Sequence, residues 1–331
     1  MPVPTPLPQA LGRLEPVDVE AVRALVEQVT RADGTPPLSE HVLLHLPRGG
    51  DARGRNVVVR EVDSVLAYAH LDTTDVVEGS SAELAVAPHA RGRGLGSALV
   101  EQLLSLTPDG RLRLWAHGDA PAAAALAGGM GFRRSRVLLQ MRRPLTGVLP
   151  PVVLPDGVAL RTYAPGDEAA WLALNNLAFA AHPDQGGWTP EDVAMRMREP
   201  WFDQSGFLLA ERDGTLVGSH WTKVHGGHGG ADPHEHAEGE EHGPGHHPGG
   251  DAEHDHHDHP PIGEVYVVAV HPVEQGRGLG PAVTLAGLHS LQARGLSSVL
   301  LYVDESNTPA VRVYEKLGFT RHAVDVMYSR P

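Results

Sequence analysis

The stretch Ala82-Glu83-Leu84-Ala85-Val86-Ala87-Pro88-His89-Ala90-Arg91-Gly92-Arg93-Gly94-Leu95-Gly96 decides the fold, because the chain says it twice. Its second version is Val265-Tyr266-Val267-Val268-Ala269-Val270-His271-Pro272-Val273-Glu274-Gln275-Gly276-Arg277-Gly278-Leu279-Gly280. Pro88 and Pro272, like Gly96 and Gly280, are 184 residues apart. Further on, Gly131-Phe132-Arg133-Arg134 is echoed by Gly318-Phe319-Thr320-Arg321, 187 residues later. Two pairs at nearly one offset mean that a whole domain is duplicated, not a short solenoid unit.

Working outward, each copy has one order of elements. Helical patterns open them, Val19 to Thr30 and Asp167 to Ala181, and strands such as Asn56 to Val62 and Gly206 to Arg212 follow. An apolar strand then enters the Gly-rich turn, and a helix leaves it. Leu95, Leu99, Leu103 and Leu106 line one face of the first such helix, as Leu279, Val283 and Ala286 do in the second. A buried-type strand (Arg111 to Trp115; Ser298 to Val303), a short helix and a last strand complete each copy. This alternation predicts an α/β (α+β) layer fold with a mixed sheet in each of two tandem domains. The connector is rich in Pro and Gly, so the domains are expected at 1–144 and 158–331 with a linker at 145–157.

Composition bounds the rest. The 331 residues are 41% hydrophobic, enough for two cores. The 18-residue apolar run a membrane span needs is absent, and Met1-Pro2-Val3-Pro4-Thr5-Pro6 has no signal-peptide character, so a cytoplasmic protein is expected. With no cysteine there is neither a disulfide nor a thiol nucleophile. Nine acids fall between His225 and His259, so most of the net charge of −14 belongs to one segment. Neither that segment nor the remainder has the basic balance of a nucleic-acid binder. Eleven of the 21 histidines share the segment, and no Lys or Arg occurs between Lys223 and Arg277. Poor in large apolar residues, it reads as a disordered His-rich insert at about 225–261. Its histidines suit Zn²⁺ or Ni²⁺, but no ligand spacing recurs, so no metal site is assigned.

The chemistry lies in the two turns. Glycines at Gly92, Gly94 and Gly96, and at Gly276, Gly278 and Gly280, allow a ligand to approach the backbone closely. The N–H groups and dipole of the following helix favour an anion, and Arg93 and Arg277 add positive charge. A pyrophosphate cradle fits, as does a plain strand–helix turn. A Rossmann fingerprint belongs earlier in its domain, with an acid about 20 residues on.

With Asn307-Thr308-Pro309-Ala310-Val311-Arg312-Val313-Tyr314 leading to Gly318-Phe319, the chain resembles the GNAT-type N-acetyltransferase superfamily over both halves. The resemblance implies a twisted mixed sheet flanked by helices, whose central strands splay to admit acetyl-CoA. Three further segments are similar to the mycothiol synthase family: Asn175-Asn176 to Trp188, His220-Trp221-Thr222-Lys223-Val224-His225, and Gly263-Glu264 to Val270. That family acetylates the cysteinyl amine of cysteinyl-glucosaminyl-inositol, the last step of mycothiol formation. The resemblance implies acetyl-CoA as cosubstrate, a small amino-sugar thiol as acceptor, no nucleic-acid or membrane partner, and a monomer. Acetyl-CoA contacts are then expected from Leu84, Ala85, Val86, Gly92 to Gly96 and Ser97 in the first copy. In the second they come from Val268, Ala269, Val270, Gln275 to Gly280, Pro281, and Asn307, Thr308, Pro309, Ala310, Val311 and Arg312.

Amine acetylation needs a base for the ammonium proton and an acid for the departing thiolate. Glu264 precedes the cradle strand and Tyr314 follows Asn307; the offsets put Ser80, Ala127 and Ala120 where Glu264, Tyr314 and Asn307 stand. The second copy is therefore expected to be catalytic, with Glu264 as base and Tyr314 as acid, and the first to be degenerate. Taken alone, Glu264 also reads as a solvated strand-end acid and Tyr314 as a packing tyrosine. The resemblance maps acceptor contacts to Glu40, Asp184, Lys223, Glu264 and Tyr302, drawn from both halves. Carboxylates and an ammonium suit a polyhydroxylated sugar. The alternatives are a tandem N-acetyltransferase acting on another small-molecule amine or a protein N-terminus, and a non-catalytic acyl-CoA sensor or metal-binding protein.

Overall fold

A computed structural model describes residues 6–50, 54–61, 64–75, 79–180, 187–225 and 261–330. They form two compact units, Met1–Arg142 with Leu301–Pro331, and Arg143–Leu300. Among the described residues no helix is long and apolar enough to cross a membrane.

The first unit opens with β1 (Gln9–Leu11), α1 (Pro16–Asp33) and α2 (Glu40–His45). Helix α1 starts with Pro16, whose missing N–H costs nothing in the first turn, and stops at Gly34, which takes the left-handed conformation at φ 72°. Its buried stripe is Val19, Val22, Leu25, Val26 and Val29. Strands β2 (Gly54–Glu61), β3 (Ser64–Asp72) and β4 (Ser80–Val86), helix α3 (Leu95–Leu106), strand β5 (Leu112–Ala116), helix α4 (Pro121–Gly129) and strand β6 (Arg133–Pro144) follow. Val57 to Val59 and Ala67 to Ala69 are completely buried, as strands covered on both faces require.

The second unit contributes β7 (Val158–Thr162), α5 (Glu168–Ala178), α6 (Pro190–Arg196), β8 (Phe207–Arg212), β9 (Thr215–His225), β10 (Ile262–Val270) and α7 (Leu279–Ala293). The chain ends with β11 (Ser298–Asp304), in which the boundary between units falls, then α8 (Thr308–Lys316) and β12 (Thr320–Ser329). In this unit β7, β8, β9 and β10 pair consecutively and antiparallel. Its core is aromatic: Phe207 stacks on Trp221 at 4.5 Å, and Trp171 meets Trp221 edge-on at 5.3 Å. The Trp171 indole N–H donates to Ser219 Oγ at 3.0 Å, so the buried ring leaves no stranded donor.

The partition of the last 31 residues differs from the order of the duplication. Strand β12 closes the sheet of the first unit, pairing antiparallel with β5 on one side and β6 on the other. The order there is β1-β2-β3-β4-β5-β12-β6, with β4 and β5 the parallel pair. Val326, Met327 and Tyr328 are buried in it. A strand's partners are chosen by the faces it can bury, not by its place in the duplication. The Pro-rich connector at 145–157 contains neither helix nor strand, yet it is pinned: Gln292 Nε2 donates to Gly147 O at 2.8 Å, the Leu145 N–H donates to Ser297 O at 2.8 Å, and Leu145 and Leu149 are buried.

Candidate functional site

Both Gly-rich turns have the geometry of an anion cradle. Gly92 and Gly94 take φ of 74° and 81°, and Gly276 and Gly278 take 75° and 88°, conformations other residues adopt only with strain. Open space lies where a Cβ would stand at all four positions. Gly94 and Gly278 are the N-caps of α3 and α7, and neither helix start carries a side-chain cap. The first N–H groups of both helices therefore remain available to an anion. Ala85 and Ala269 are buried, while Leu84, Val86, Val268 and Val270 alternate to the less buried face of their strands. In the first unit the ladder from β4 to β5 runs from Ser80–Leu112 to Glu83–Trp115, and β4 continues to Val86 beyond it. A strand that outruns its ladder just before the cradle is the fork that an extended acyl arm needs.

The cradles differ in charge. Arg91 is held by Asp33 through two contacts of 2.8 and 2.6 Å, and Arg93 meets Glu61 at 3.2 Å. In the second unit Gln275 occupies the place of Arg91, and each donates to the carbonyl ending its strand, Val270 O at 3.3 Å and Val86 O at 3.2 Å. Arg277 is 66% exposed and reaches Glu274 only at 3.9 Å. Glu274 itself is engaged by Arg212 at 3.1 Å. The second cradle thus has the less neutralised cation.

Glu264 lies on β10, which makes it a buried acid opposite Lys223 of β9. Its Oε2 is 2.6 Å from His225 Nε2. Two residues on, the register slips between Val265 and Val267, so Tyr266 occupies a β-bulge. Bulges re-aim side chains beside functional sites. Here the Tyr266 ring meets Trp201 at 5.1 Å, and the Arg196 Nε donates to its hydroxyl at 2.8 Å. Arg196 also lies 4.0 Å over Trp188, and Lys223 Nζ lies 4.7 Å over Trp201 and 5.3 Å from the centre of Tyr266. Cations and rings therefore order one another beside Glu264. Helix α6 holds Arg196 in place and starts in a capping box, with Thr189 and Asp192 satisfying each other's N–H groups.

Other expected residues lie on α8, β11 and α2. Asn307 caps α8, its Oδ1 accepting from the Ala310 N–H at 3.3 Å, and Thr308 to Arg312 form the first turns. Tyr314, on the same helix, is half-buried with its ring edge-on to Phe319 at 5.9 Å. Burial pushes its hydroxyl up to about 12, so it keeps its proton at neutral pH. Tyr302 on β11 is 44% exposed and receives a hydrogen bond from Gln140 at 2.8 Å. Glu40 is the first residue of α2 and half-buried. Asp184 and residues 226–260 of the His-rich insert lie outside the described residues.

Reading by offset overlooked Glu83, Arg196, Tyr266 and His225. Glu83 is buried at the end of the β4–β5 ladder, accepts a hydrogen bond from the Ser39 N–H, and lies 3.6 Å from His117. Burial alone raises a carboxyl, but the charged His117 imidazole beside it and the Ser39 N–H prevail and hold Glu83 below its ordinary value. An acid inside the apolar run Ala82 to Val86 was the available signal. The other three depend on register, which no local pattern shows.

Residues 171–319 match the acetyltransferase (GNAT) family, and residues 52–134 match an acetyltransferase (GNAT) domain. A mycothiol acetyltransferase of Acidothermus cellulolyticus is 53% identical over 325 residues, 96% of this chain and 93% of that protein. One of Thermobispora bispora is 53% identical over 319 residues, 96% of this chain and 98% of that protein. Among solved structures, a GCN5-related N-acetyltransferase from Sphaerobacter thermophilus has a TM-score of 0.63 at 25% identity, covering 98% of this chain and 96% of that one. A tandem GNAT protein from the clavulanic acid biosynthesis pathway has a TM-score of 0.64 at 19% identity, covering 97% and 98%, a likeness of fold.

Proposed function

The chain belongs to the mycothiol acetyltransferase family, two GNAT domains in tandem; from that premise we propose that it moves the acetyl group of acetyl-CoA to the cysteinyl amine of cysteinyl-glucosaminyl-inositol. The observation that carries the reading is the strand that leads from Glu264, beside Lys223, to an uncapped helix N-terminus with two left-handed glycines. One end of that strand suits proton transfer, and the other suits a pyrophosphate.

The bond changes balance as follows. Glu264 takes a proton from the acceptor's ammonium, and the freed nitrogen attacks the thioester carbonyl carbon. The backbone at Val268 to Val270 faces the developing oxyanion, which preorganised N–H donors stabilise. The C–S bond breaks, Tyr314 gives its proton to the sulfur, and the nitrogen's second proton, released as the amide forms, returns through solvent to the Tyr314 phenolate. Tyr314 suits the acid role because its raised value keeps the hydroxyl protonated. Glu264 suits the base role because it is buried on the strand that feeds the cradle. Lys223 and the rings of Trp201 and Tyr266 present donors and flat apolar faces, the two surfaces a sugar binds. Glu40, Asp184 and Tyr302 are the remaining proposed acceptor contacts.

The test is a panel of amines, each offered with acetyl-CoA and read by mass spectrometry: cysteinyl-glucosaminyl-inositol, a polyamine, an aminoglycoside and a peptide with a free N-terminus. Preferential acetylation of the cysteinyl compound is expected. Preference for another amine, or acetyl-CoA binding without turnover, defeats the proposal.

A further inference from the structure

We infer that His225 carries the proton captured by Glu264 out to solvent, a role that rests on the acetyl-transfer reading above. The need follows from stoichiometry. An ammonium and a thioester become an amide and a thiol, and one proton is left over in every turnover. A buried carboxylate that has taken it must lose it before the next ammonium arrives.

The geometry points to one side chain. Glu264 is 8% exposed and His225 is 39% exposed, with His225 Nε2 and Glu264 Oε2 2.6 Å apart. His225 stands at the end of β9, where Ile262 is its partner in the ladder, so the imidazole reaches diagonally across two positions to Glu264. Lys223 is on the same face of β9, but its ammonium is set over Trp201 and Tyr266. An imidazole can hold a proton on one nitrogen while releasing one from the other. With the imidazole proton on Nδ1, Glu264 takes a proton from the ammonium and hands it from Oε2 to Nε2, the Nδ1 proton leaves to water, and exchange with solvent returns the ring to its Nδ1–H form. One proton enters and one leaves. The first copy has Ser80 in the place of Glu264, so the need for an exit is confined to the second.

Two variants test this on the full chain. His225→Gln keeps a hydrogen-bond donor for Glu264 but cannot carry a proton, and His225→Ala leaves room for free imidazole. In dilute buffer both are expected to lose kcat by on the order of 10-fold or more, the lower part of the range for proton-transfer groups. KM for both substrates stays within a factor of about two, since neither substrate's grip is altered. Added imidazole restores kcat to His225→Ala and leaves the parent unchanged. Full kcat in His225→Gln overturns the inference, because the hydrogen bond then suffices. Loss in both variants without recovery in imidazole also overturns it. Acetyl-CoA affinity and thermal midpoint, measured alongside, show that the variants are folded. Any amine the parent acetylates serves for this test, so a wrong acceptor assignment shows up separately in the panel.

Discussion

Asp325 Oδ2 lies 3.2 Å from His117 Nδ1, although the two residues are 208 positions apart in the chain. The other oxygen of Asp325 accepts the Gly118 N–H at 2.8 Å, and Glu83 faces the imidazole from the opposite side at 3.6 Å. Burial disfavours a cationic imidazole here. The hydrogen bond to Asp325 and the negative charges of Asp325 and Glu83 outweigh it and push His117 up to about 10. The last strand of the chain is thus fastened to the first unit by a charged cluster as well as by its ladders.

A pH signature follows. The value of His117 is higher when folded than when unfolded, so its stabilisation is complete below about 6.5 and is lost as pH rises towards 10. The loss is on the order of a few kcal/mol. Urea midpoints measured from pH 6.5 to 10 are expected to fall in the parent. In His117→Asn the starting midpoint is lower and the slope flatter; an unchanged slope refutes the assignment.

His220 has the opposite sign. Burial lowers it to about 4, and its Nδ1 is 2.9 Å from Val283 O. Its contribution is complete above about 6.5 and is lost as pH falls towards 4, because the unfolded chain then binds the extra proton. The ring fits because Gly287 on α7 has no side chain: a Cβ there would stand 2.1 Å from the imidazole. Gly287→Ala is expected to cost about 1–3 kcal/mol or more in a urea titration, the scale of overpacking.

Substituting the two proposed proton-transfer groups should separate them. Glu264→Gln is expected to reduce kcat/KM by about 10²–10⁴. Tyr314→Phe keeps the ring against Phe319 and should act mainly on kcat. Acetyl-CoA affinity, followed by calorimetry, stays near the parent's in both. Unchanged kcat/KM in either variant removes that residue from the mechanism.

The two cradles should bind unequally. Arg93 is paired with Glu61 and Arg277 is largely unneutralised. Arg277→Ala is expected to weaken acetyl-CoA binding, with a loss that shrinks as salt is added. Glu61→Gln releases Arg93 and is expected to strengthen binding at the first cradle. Calorimetric stoichiometry in the two variants reads the sites apart, and equal effects on one site contradict the asymmetry.

Deleting residues 320–331 removes Val326, Met327 and Tyr328 from the first unit, each worth about 1.5–3 kcal/mol of burial. It also removes the partner that β5 and β6 share. Hydrogen exchange in β5 and β6 is expected to accelerate strongly. Retained protection would mean that the first unit is complete without the C-terminal strand.

Much was legible in the amino-acid sequence alone. The helices at α1, α3 and α7 and the strands before the turns were readable from periodicity, because each pattern is local and repeats twice. The cradles were readable too, since Gly92, Gly94, Gly276 and Gly278 are demanded by the backbone itself. Counting Thr320–Ser329 with the second copy follows the order of the duplication, but its buried run from Asp325 to Tyr328 does not name the strands it pairs with, which are β5 and β6 of the first unit. The offset map set Ser80 against Glu264 and thereby passed over Glu83, which belongs to a different cluster built from β4, the end of β5 and β12.

By itself, then, the amino-acid sequence determined the duplication, the strand–turn–helix cradles and the asymmetry that leaves Glu264 and Tyr314 in one copy. Those are properties of short segments, where backbone conformation and side-chain spacing act within a few residues. Tertiary structure alone decided that β12 completes the first unit, that His117 is held charged between Asp325 and Glu83, and that His225 touches Glu264. Each of these depends on which strands lie side by side and in what register. That choice is made by the burial of whole faces, and it brings together residues that no spacing along the chain relates.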